Sequence, residues 1–355
     1  MKEPTLVADV DRFVPDLDAA AQQLRDDPER VLAHVVPRPG RSPAERLEGA
    51  VSGDPQEELS PELVNPTQPA LERVLAGALS GIEKMRRDGV DADLAADERT
   101  GLEAVIVLVG RPAILVQDGK FLPPPEPWQK LEEKRADIEA TLARVGRIEL
   151  DGHPRFDWVG TGFLAGENVV LTNRHVVKMF ASRLGSDWVL DEGVTARIDF
   201  AEELGSVVRR NFPITEIIGV HGEVDLAVLR VDGPGLAPLP VDDDPRLVGP
   251  DREVYVVGYP TADTFAVPEV VRKIFVDIYG VKRLQPGAVM SALEGKVFRH
   301  DCSTLGGNSG SCVIDLETNR VVGVHYRGRF REANTAVALA PLAEDPLVKP
   351  NVPFV

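Results

Sequence analysis

The pattern of apolar and polar positions divides the chain into two parts near residue 146. Before that point, apolar residues recur at the three- and four-residue spacing of amphipathic helices. After it, short Val-rich runs alternate with turns that contain glycine, which is typical of antiparallel strands. The pattern therefore predicts an N-terminal α-helical region followed by a mainly β part.

Five stretches of the first part carry the helical pattern: Leu17 to Arg25, Pro43 to Val51, Gln68 to Arg87, Ala92 to Leu108 and Glu126 to Val145. The third has an apolar stripe made of Leu71, Val74, Leu75, Leu79, Ile82 and Met85. Such a stripe belongs either to a core or to a face that binds a partner. Segments rich in Pro, Gly and acidic residues interrupt the helices: Pro37 to Gly40, Ser52 to Pro66 and Phe121 to Pro127. We therefore predict a helical region over 1–120, a Pro-rich linker with a docking helix over 121–145, and a β domain over 146–355.

Three polar residues of the β part stand where rigid strands would hold them. His175 follows a predicted strand pair, Gly160 to Ala165 and Asn168 to Thr172, and Asp225 opens another apolar strand. Ser309 lies in the segment Gly306-Gly307-Asn308-Ser309-Gly310-Ser311, whose glycines allow a tight turn. A serine hydroxyl needs an imidazole to take its proton and a carboxylate to orient that imidazole. We therefore predict a catalytic triad of His175, Asp225 and Ser309, with an oxyanion hole made by the N–H groups of Gly307 and Ser309.

The charge balance limits the partners of the chain. The 355 residues have a formal net charge of −17, which disfavours nucleic acid and anionic membranes as partners. No apolar run approaches the roughly twenty residues of a membrane helix, and the N-terminal residues lack the pattern of a signal peptide. We therefore expect a soluble, cytoplasmic protein without a membrane partner.

The two cysteines, Cys302 and Cys312, lie on either side of Ser309. We expect them to be reduced, with a bridge across the nucleophile loop as the alternative. No His or Cys spacing resembles a zinc site, so the sequence predicts no metal and no cofactor.

These motifs resemble those of the trypsin-like (chymotrypsin-fold) serine peptidases, nearest to the bacterial HtrA and glutamyl endopeptidase branches. The residues that carry the resemblance are Gly160-Thr-Gly-Phe163, Leu171 to Val176, Asp225 to Leu229, Val257-Gly-Tyr-Pro260 and Gly307 to Ser311. The resemblance spans residues 146 to 345 and implies a mainly β fold of two six-stranded antiparallel barrels. The triad would lie in the cleft between the barrels. Asn308 stands where the digestive branch has an Asp that pairs with a new N-terminal amine, so that activation switch is absent.

The resemblance also indicates which residues bind the substrate side chain before the scissile bond, the P1 residue. They are Ser303 and Thr304 ahead of Ser309, and His325, Tyr326 and Arg327 on a later strand. A histidine on this strand contacts the substrate carboxylate in the glutamate-specific branch, which favours an acidic P1 residue. The alternative is a pocket for small or apolar residues. Val267 to Ile278 is a helix-capable insertion that forms either a lid or a packed surface helix.

The sequence therefore predicts a serine endopeptidase, an intracellular bacterial effector that acts on protein or peptide substrates. Its N-terminal helical region would regulate it or recruit an activating protein or sensor. A catalytically silent binding module with the same fold is the alternative from another class. A hydrolase for non-peptide esters is a third hypothesis.

Overall fold

The structure is a computed structural model that describes seven stretches of the chain: residues 17–26, 68–88, 92–105, 110–261, 279–304, 306–329 and 333–355. The chain splits into two compact units. The first comprises Met1–Ile114, Leu122–Glu133 and Ala262–Tyr279, and the second comprises Leu115–Phe121, Lys134–Thr261 and Gly280–Val355. No helix within these described stretches is long and apolar enough to cross a membrane.

The described residues of the first unit form three α-helices: α1 Leu17–Asp26, α2 Gln68–Asp88 and α3 Ala96–Val105. Two of them match the predicted bounds within one residue, and the third begins at Ala96 rather than at the predicted residue 92, while its predicted end at 108 lies outside the described residues. Ile82 and Met85 of the predicted stripe are buried. A Cβ on Gly101 would lie 2.1 Å from the Ala78 backbone nitrogen, so glycine lets α2 and α3 approach closely. The predicted helix over 43–51 and the insertion over 267–278 lie outside the described residues.

The predicted helix over 126–145 is shorter and broken. A 3₁₀ helix covers Trp128–Glu132, a second helix, α4, covers Arg135–Leu142, and a strand already begins at Val145. The Trp128 indole N–H donates to the Gly110 carbonyl at 2.9 Å, within the first unit. Pro127 is the N-cap of the 3₁₀ helix, where its missing N–H would have no helical partner in any case.

Six strands of the second unit form a closed antiparallel barrel in the order β10-β5-β4-β3-β8-β9. Their bounds are β3 Val145–Asp151, β4 Trp158–Gly166, β5 Val169–Thr172, β8 Thr195–Asp199, β9 Asn211–Val220 and β10 Ala227–Val231. The intervening hairpin consists of β6 Ala181–Leu184 and β7 Asp187–Leu190. Apolar side chains such as Ile148, Leu164 and Leu229 fill the barrel. The predicted strand pair before His175 corresponds to β4 and β5.

Eight strands form the other sheet, in the order β13-β16-β15-β14-β11-β12-β1-β2. Their bounds are β1 Ile114–Gln117, β2 Lys120–Phe121, β11 Glu253–Gly258, β12 Arg283–Ala288, β13 Val297–His300, β14 Cys312–Asp315, β15 Val321–Arg329 and β16 Ala333–Ala338. The first six strands of this order run from β13 to β12. A bridge between Val289, directly after β12, and His300 of β13 brings the two ends of these six strands together. The mainly β fold is thus confirmed.

The strands β1 and β2 are a feature that the sequence analysis missed. They fall in the stretch assigned to the helical region and its linker, yet they extend the sheet beyond β12. The N–H of Val116 donates to the Lys282 carbonyl, and the Val116 carbonyl accepts from the N–H of Leu204. The sheet of the second unit therefore includes chain that precedes residue 121.

Candidate active site

His175 lies one residue into a short helix, α5 Arg174–Val177, which follows directly from β5. The backbone N–H of His175 donates to Asp225 Oδ1 at 2.9 Å, and its ring Nδ1 lies 2.6 Å from Asp225 Oδ2. An ionised carboxylate only accepts hydrogen bonds, so Nδ1 carries the ring proton. The unprotonated Nε2 is then available as a base.

Asp225 lies two residues before β10, rather than at its first position. The Asn173 amide donates to the Asp225 carbonyl, and the Arg174 guanidinium donates to the carbonyls of His221 and Gly222. Burial raises the pKa of the Asp225 carboxyl, but the hydrogen bonds and charge of His175 outweigh burial and leave that pKa below its usual value. Asp225 is therefore ionised near neutral pH.

Backbone hydrogen bonds and a left-handed glycine fix the loop around Ser309. The Gly306 carbonyl accepts from the N–H of Thr261 at 2.6 Å, and a trans peptide then directs the Gly307 N–H to the opposite side. Gly307 has φ of +80°, and a Cβ there would lie 2.3 Å from the Tyr259 carbonyl oxygen. Among the described residues, neither the Gly307 N–H nor the Ser309 N–H has a backbone acceptor. Both donors are thus free to bind a substrate oxygen.

Two of the three predicted triad members are in direct contact in the structure. His175 and Asp225 are hydrogen-bonded, whereas the described residues Ser309 and His175 share no hydrogen bond. Catalytic hydrogen bonds are often long or poorly aligned without substrate and tighten only when substrate binds. The loop is nevertheless fixed on both sides of Ser309, since Gly310 N–H donates to the His325 carbonyl and Ser309 O accepts from Thr161 N–H.

Asn308 is fully buried beside Ser309. Its Oδ1 lies 2.5 Å from the position that a Cβ on Gly258 would occupy, so the amide packs directly over the end of β11. A neutral amide suits this position, because burial of a charged carboxylate is costly.

The predicted P1-binding residues have different environments. Ser303 and Thr304 are partly buried, Tyr326 is partly buried, and Arg327 is exposed. His325 is buried at 2% exposure. Of the two cation-capable residues predicted to meet an acidic side chain, only His325 is enclosed by the protein.

His300 is a neighbour of His325 that the sequence analysis missed. Its Nε2 lies 3.1 Å from Nδ1 of His325, and both rings are buried. Burial lowers the pKa of His300 to about 4. Burial, followed by the charges of His300 and His175, lowers the pKa of His325 well below its usual range. Both imidazoles are therefore neutral at pH 7 in the free protein.

The two cysteines are buried and form no disulfide. Burial raises the pKa of the Cys312 thiol to about 12, so the reactive thiolate is scarce at neutral pH.

One group of three carboxylates within the described stretches lies close enough to share a metal ion: Glu149, Asp199 and Glu202. Arginine side chains already lie within ion-pair distance of all three: Arg147, Arg197 and Arg209. The positive charge that a cation would supply is thus present in the chain itself.

Comparison with known proteins agrees with this geometry. Residues 160–324 match the family model described as a trypsin-like peptidase domain. The match to a trypsin-like peptidase domain lies in this part of the chain, and the predicted resemblance is confirmed.

The relatives within this class include glutamyl endopeptidases. That of Staphylococcus epidermidis is 29% identical over 205 residues, which cover 55% of this chain and 62% of the relative. That of Staphylococcus aureus strain MRSA252 is 25% identical over 213 residues, which cover 55% and 50%. The chain thus spans between half and two thirds of these relatives. Among solved structures, the active form of the Rv3671c protease from M. tuberculosis has 20% identity and a TM-score of 0.44, covering 69% of this chain and 93% of that one.

Proposed function

We propose that the protein is a serine endopeptidase that hydrolyses peptide bonds through Ser309, His175 and Asp225. The observation that carries the proposal is the double attachment of His175 to Asp225. Both carboxylate oxygens bind the same residue, which fixes the imidazole's tautomer and limits its rotation. The free N–H groups of Gly307 and Ser309 support the same conclusion.

The reaction follows from these positions. Ser309 Oγ attacks the carbonyl carbon of the scissile bond while Nε2 of His175 takes the hydroxyl proton. The N–H groups of Gly307 and Ser309 bind the resulting oxyanion. The imidazolium then gives its proton to the leaving amine, and an acyl-enzyme on Ser309 remains. A water molecule then attacks the acyl-enzyme while His175 takes its proton. Return of that proton to Ser309 Oγ releases the carboxylic acid product.

A fluorophosphonate probe tests this function because it phosphonylates only an activated serine. Full-length protein is expected to gain one probe mass on the peptide that contains Ser309, and to cleave a denatured protein substrate. If neither the full chain nor a chain that begins at Gly110 is modified, the endopeptidase proposal fails. The absent hydrogen bond between His175 and Ser309 favours the silent binding module in that event.

We further propose that the P1 pocket prefers glutamate, supported by the buried His325 and by the glutamyl endopeptidase relatives. A P1 carboxylate in contact with His325 would raise the pKa of the ring, so binding would take up a proton. The preference for Glu over its neutral isostere Gln would then be strongest at low pH and fall as the pH rises through the pKa of the complex.

We expect kcat/KM to be at least about tenfold higher for P1 Glu than for P1 Gln at pH 6, with a smaller ratio at pH 8.5. Matched fluorogenic peptides that differ only in the P1 residue give this ratio. His325→Gln should abolish the ratio, while His153→Gln serves as control, since the His153 ring instead accepts from the N–H groups of Arg155 and Phe156. A ratio near one at both pH values would instead support a pocket for small or apolar side chains.

We also propose that the protein is an effector and that its N-terminal helical region regulates the peptidase activity. Support comes from the close packing of α2 against α3 and from their place in the first compact unit, whereas the proposed triad lies in the second. The cytoplasmic location and an activating protein or sensor stay predictions.

Removal of α1 to α3 is expected to change the probe-labelling rate at least about fivefold, since regulatory coupling is typically 1–3 kcal/mol. The shortened chain begins at Gly110 and keeps the residue that binds Trp128. Labelling rates of both chains under the same conditions measure the effect. Equal rates would exclude a regulatory role in the absence of a partner.

A further inference from the structure

Thr161, in the middle of β4, touches the nucleophile loop with both its side chain and its backbone. Its hydroxyl donates to the Gly307 carbonyl at 2.9 Å, and its N–H donates to the Ser309 carbonyl at 2.8 Å. The residue is fully buried. We infer that Thr161 is a positioning residue that holds, through their carbonyl groups, the two residues whose N–H groups form the oxyanion hole, an inference that rests on the proposed function.

The hydroxyl of Thr161 has a fixed orientation. It donates its one hydrogen to the Gly307 carbonyl, and its oxygen accepts from the N–H of Tyr259 at 3.2 Å. The strand behind it is also fixed, because the Thr161 carbonyl accepts from Thr172 Oγ1 at 2.7 Å. A hydroxyl held by a donor and an acceptor in a dry interior is a rigid support.

Gly307 needs such a support more than another residue would. A glycine at φ of +80° has no Cβ to restrict rotation about its backbone bonds. The peptide before it is held by Thr261, whose N–H binds the Gly306 carbonyl, and the peptide after it is held by Thr161. With both neighbouring peptides fixed, the Gly307 N–H keeps its direction.

The backbone bond to Ser309 extends the same control to the nucleophile. The carbonyls of Gly307 and Ser309 both face Thr161, so β4 sets the distance between the two residues whose N–H groups bind the oxyanion. Substitution of the side chain removes the first contact and leaves the second, since the second uses only backbone. The expected loss is therefore partial.

The experiment compares Thr161→Val, which keeps the shape but lacks the hydroxyl, with Thr161→Ser, which keeps the hydroxyl. Thr141→Val is the matched control, because Thr141 is equally buried and hydrogen-bonded in α4. We expect Thr161→Val to lower kcat about 30-fold with KM within twofold, less than loss of a whole oxyanion donor costs. Thr161→Ser and Thr141→Val should stay within about threefold of wild type.

A second readout separates positioning from general loss of structure. A peptide aldehyde inhibitor forms a hemiacetal with the Ser309 hydroxyl, and the former aldehyde oxygen then occupies the oxyanion hole. The inhibition constant of the aldehyde should rise in Thr161→Val by the same factor by which kcat falls. The melting temperatures of both valine variants should drop comparably. Thr161→Cys, with a much weaker donor, replaces Thr161→Val if that variant does not fold.

The inference is overturned if Thr161→Val, or Thr161→Cys in its place, keeps kcat and aldehyde affinity within threefold of wild type. It is also overturned if Thr161→Ser is as impaired as Thr161→Val, since the methyl group would then be the important part. Failure of the proposed function has a separate signature. Wild-type protein itself would then show neither probe labelling nor cleavage.

Discussion

Ser309→Ala is expected to lower kcat about 10⁶-fold, because the variant lacks the atom that forms the acyl-enzyme. Any residual rate over uncatalysed hydrolysis would come from substrate binding and from the N–H groups of Gly307 and residue 309. Steady-state hydrolysis of a P1 Glu peptide by full-length protein measures the loss. Fluorophosphonate labelling should disappear in parallel.

Ser311→Ala provides the matched control for this variant. Ser311 is a buried serine of the same loop, and its hydroxyl lies 3.5 Å from Asn308 Oδ1. The same chemical change at this position should leave kcat within about threefold, since the lost hydrogen bond is long and weak. Retention of more than 1% of the wild-type rate by Ser309→Ala would mean that another residue is the nucleophile.

Asp225→Asn is expected to lower kcat about 10⁴-fold through the wrong tautomer of His175. The backbone N–H of His175 needs an acceptor, so the oxygen of the new amide stays there and its NH₂ group faces Nδ1. Nδ1 must then accept, which moves the ring proton to Nε2. An Nε2 that already carries a proton cannot take one from Ser309.

The measurement is kcat near neutral pH, together with the urea midpoint to show that the fold is intact. Asp191→Asn is the control, because the Asp191 carboxylate accepts a hydrogen bond from the exposed Ser182 hydroxyl of the β6–β7 hairpin. We expect that variant to keep kcat within twofold. A loss smaller than tenfold in Asp225→Asn would show that the carboxylate does not control the tautomer.

The candidate triad could be predicted from the sequence because each part of it is local. The glycines around Ser309, the strand before His175 and the strand after Asp225 are short segments with strong patterns. The contact of His325 with His300 could not be predicted from the sequence. His300 is 25 residues away and reaches His325 only through a register that pairs both β13 and β15 with β16.

The contacts of Thr161 could not be predicted either, because they also join residues that are far apart in the chain. Its place in a Gly-Thr-Gly-Phe strand was predicted, but its hydroxyl meets a carbonyl 146 positions later in the chain. The strand β1 was missed for a different reason. A run of four apolar residues, Ala113 to Val116, fits a buried helix as well as a strand, and periodicity alone does not separate them.

The added strand β1 determines where the chain can be divided. A truncation or domain exchange made at residue 121 or 126 would remove β1 and β2 and leave β12 as an open sheet edge, with unpaired N–H and C=O groups. Such an edge pairs readily with strands of other chains. A recombinant protease domain cut there would be prone to self-association, and a chimera that receives a foreign helical region would need its junction before Ile114.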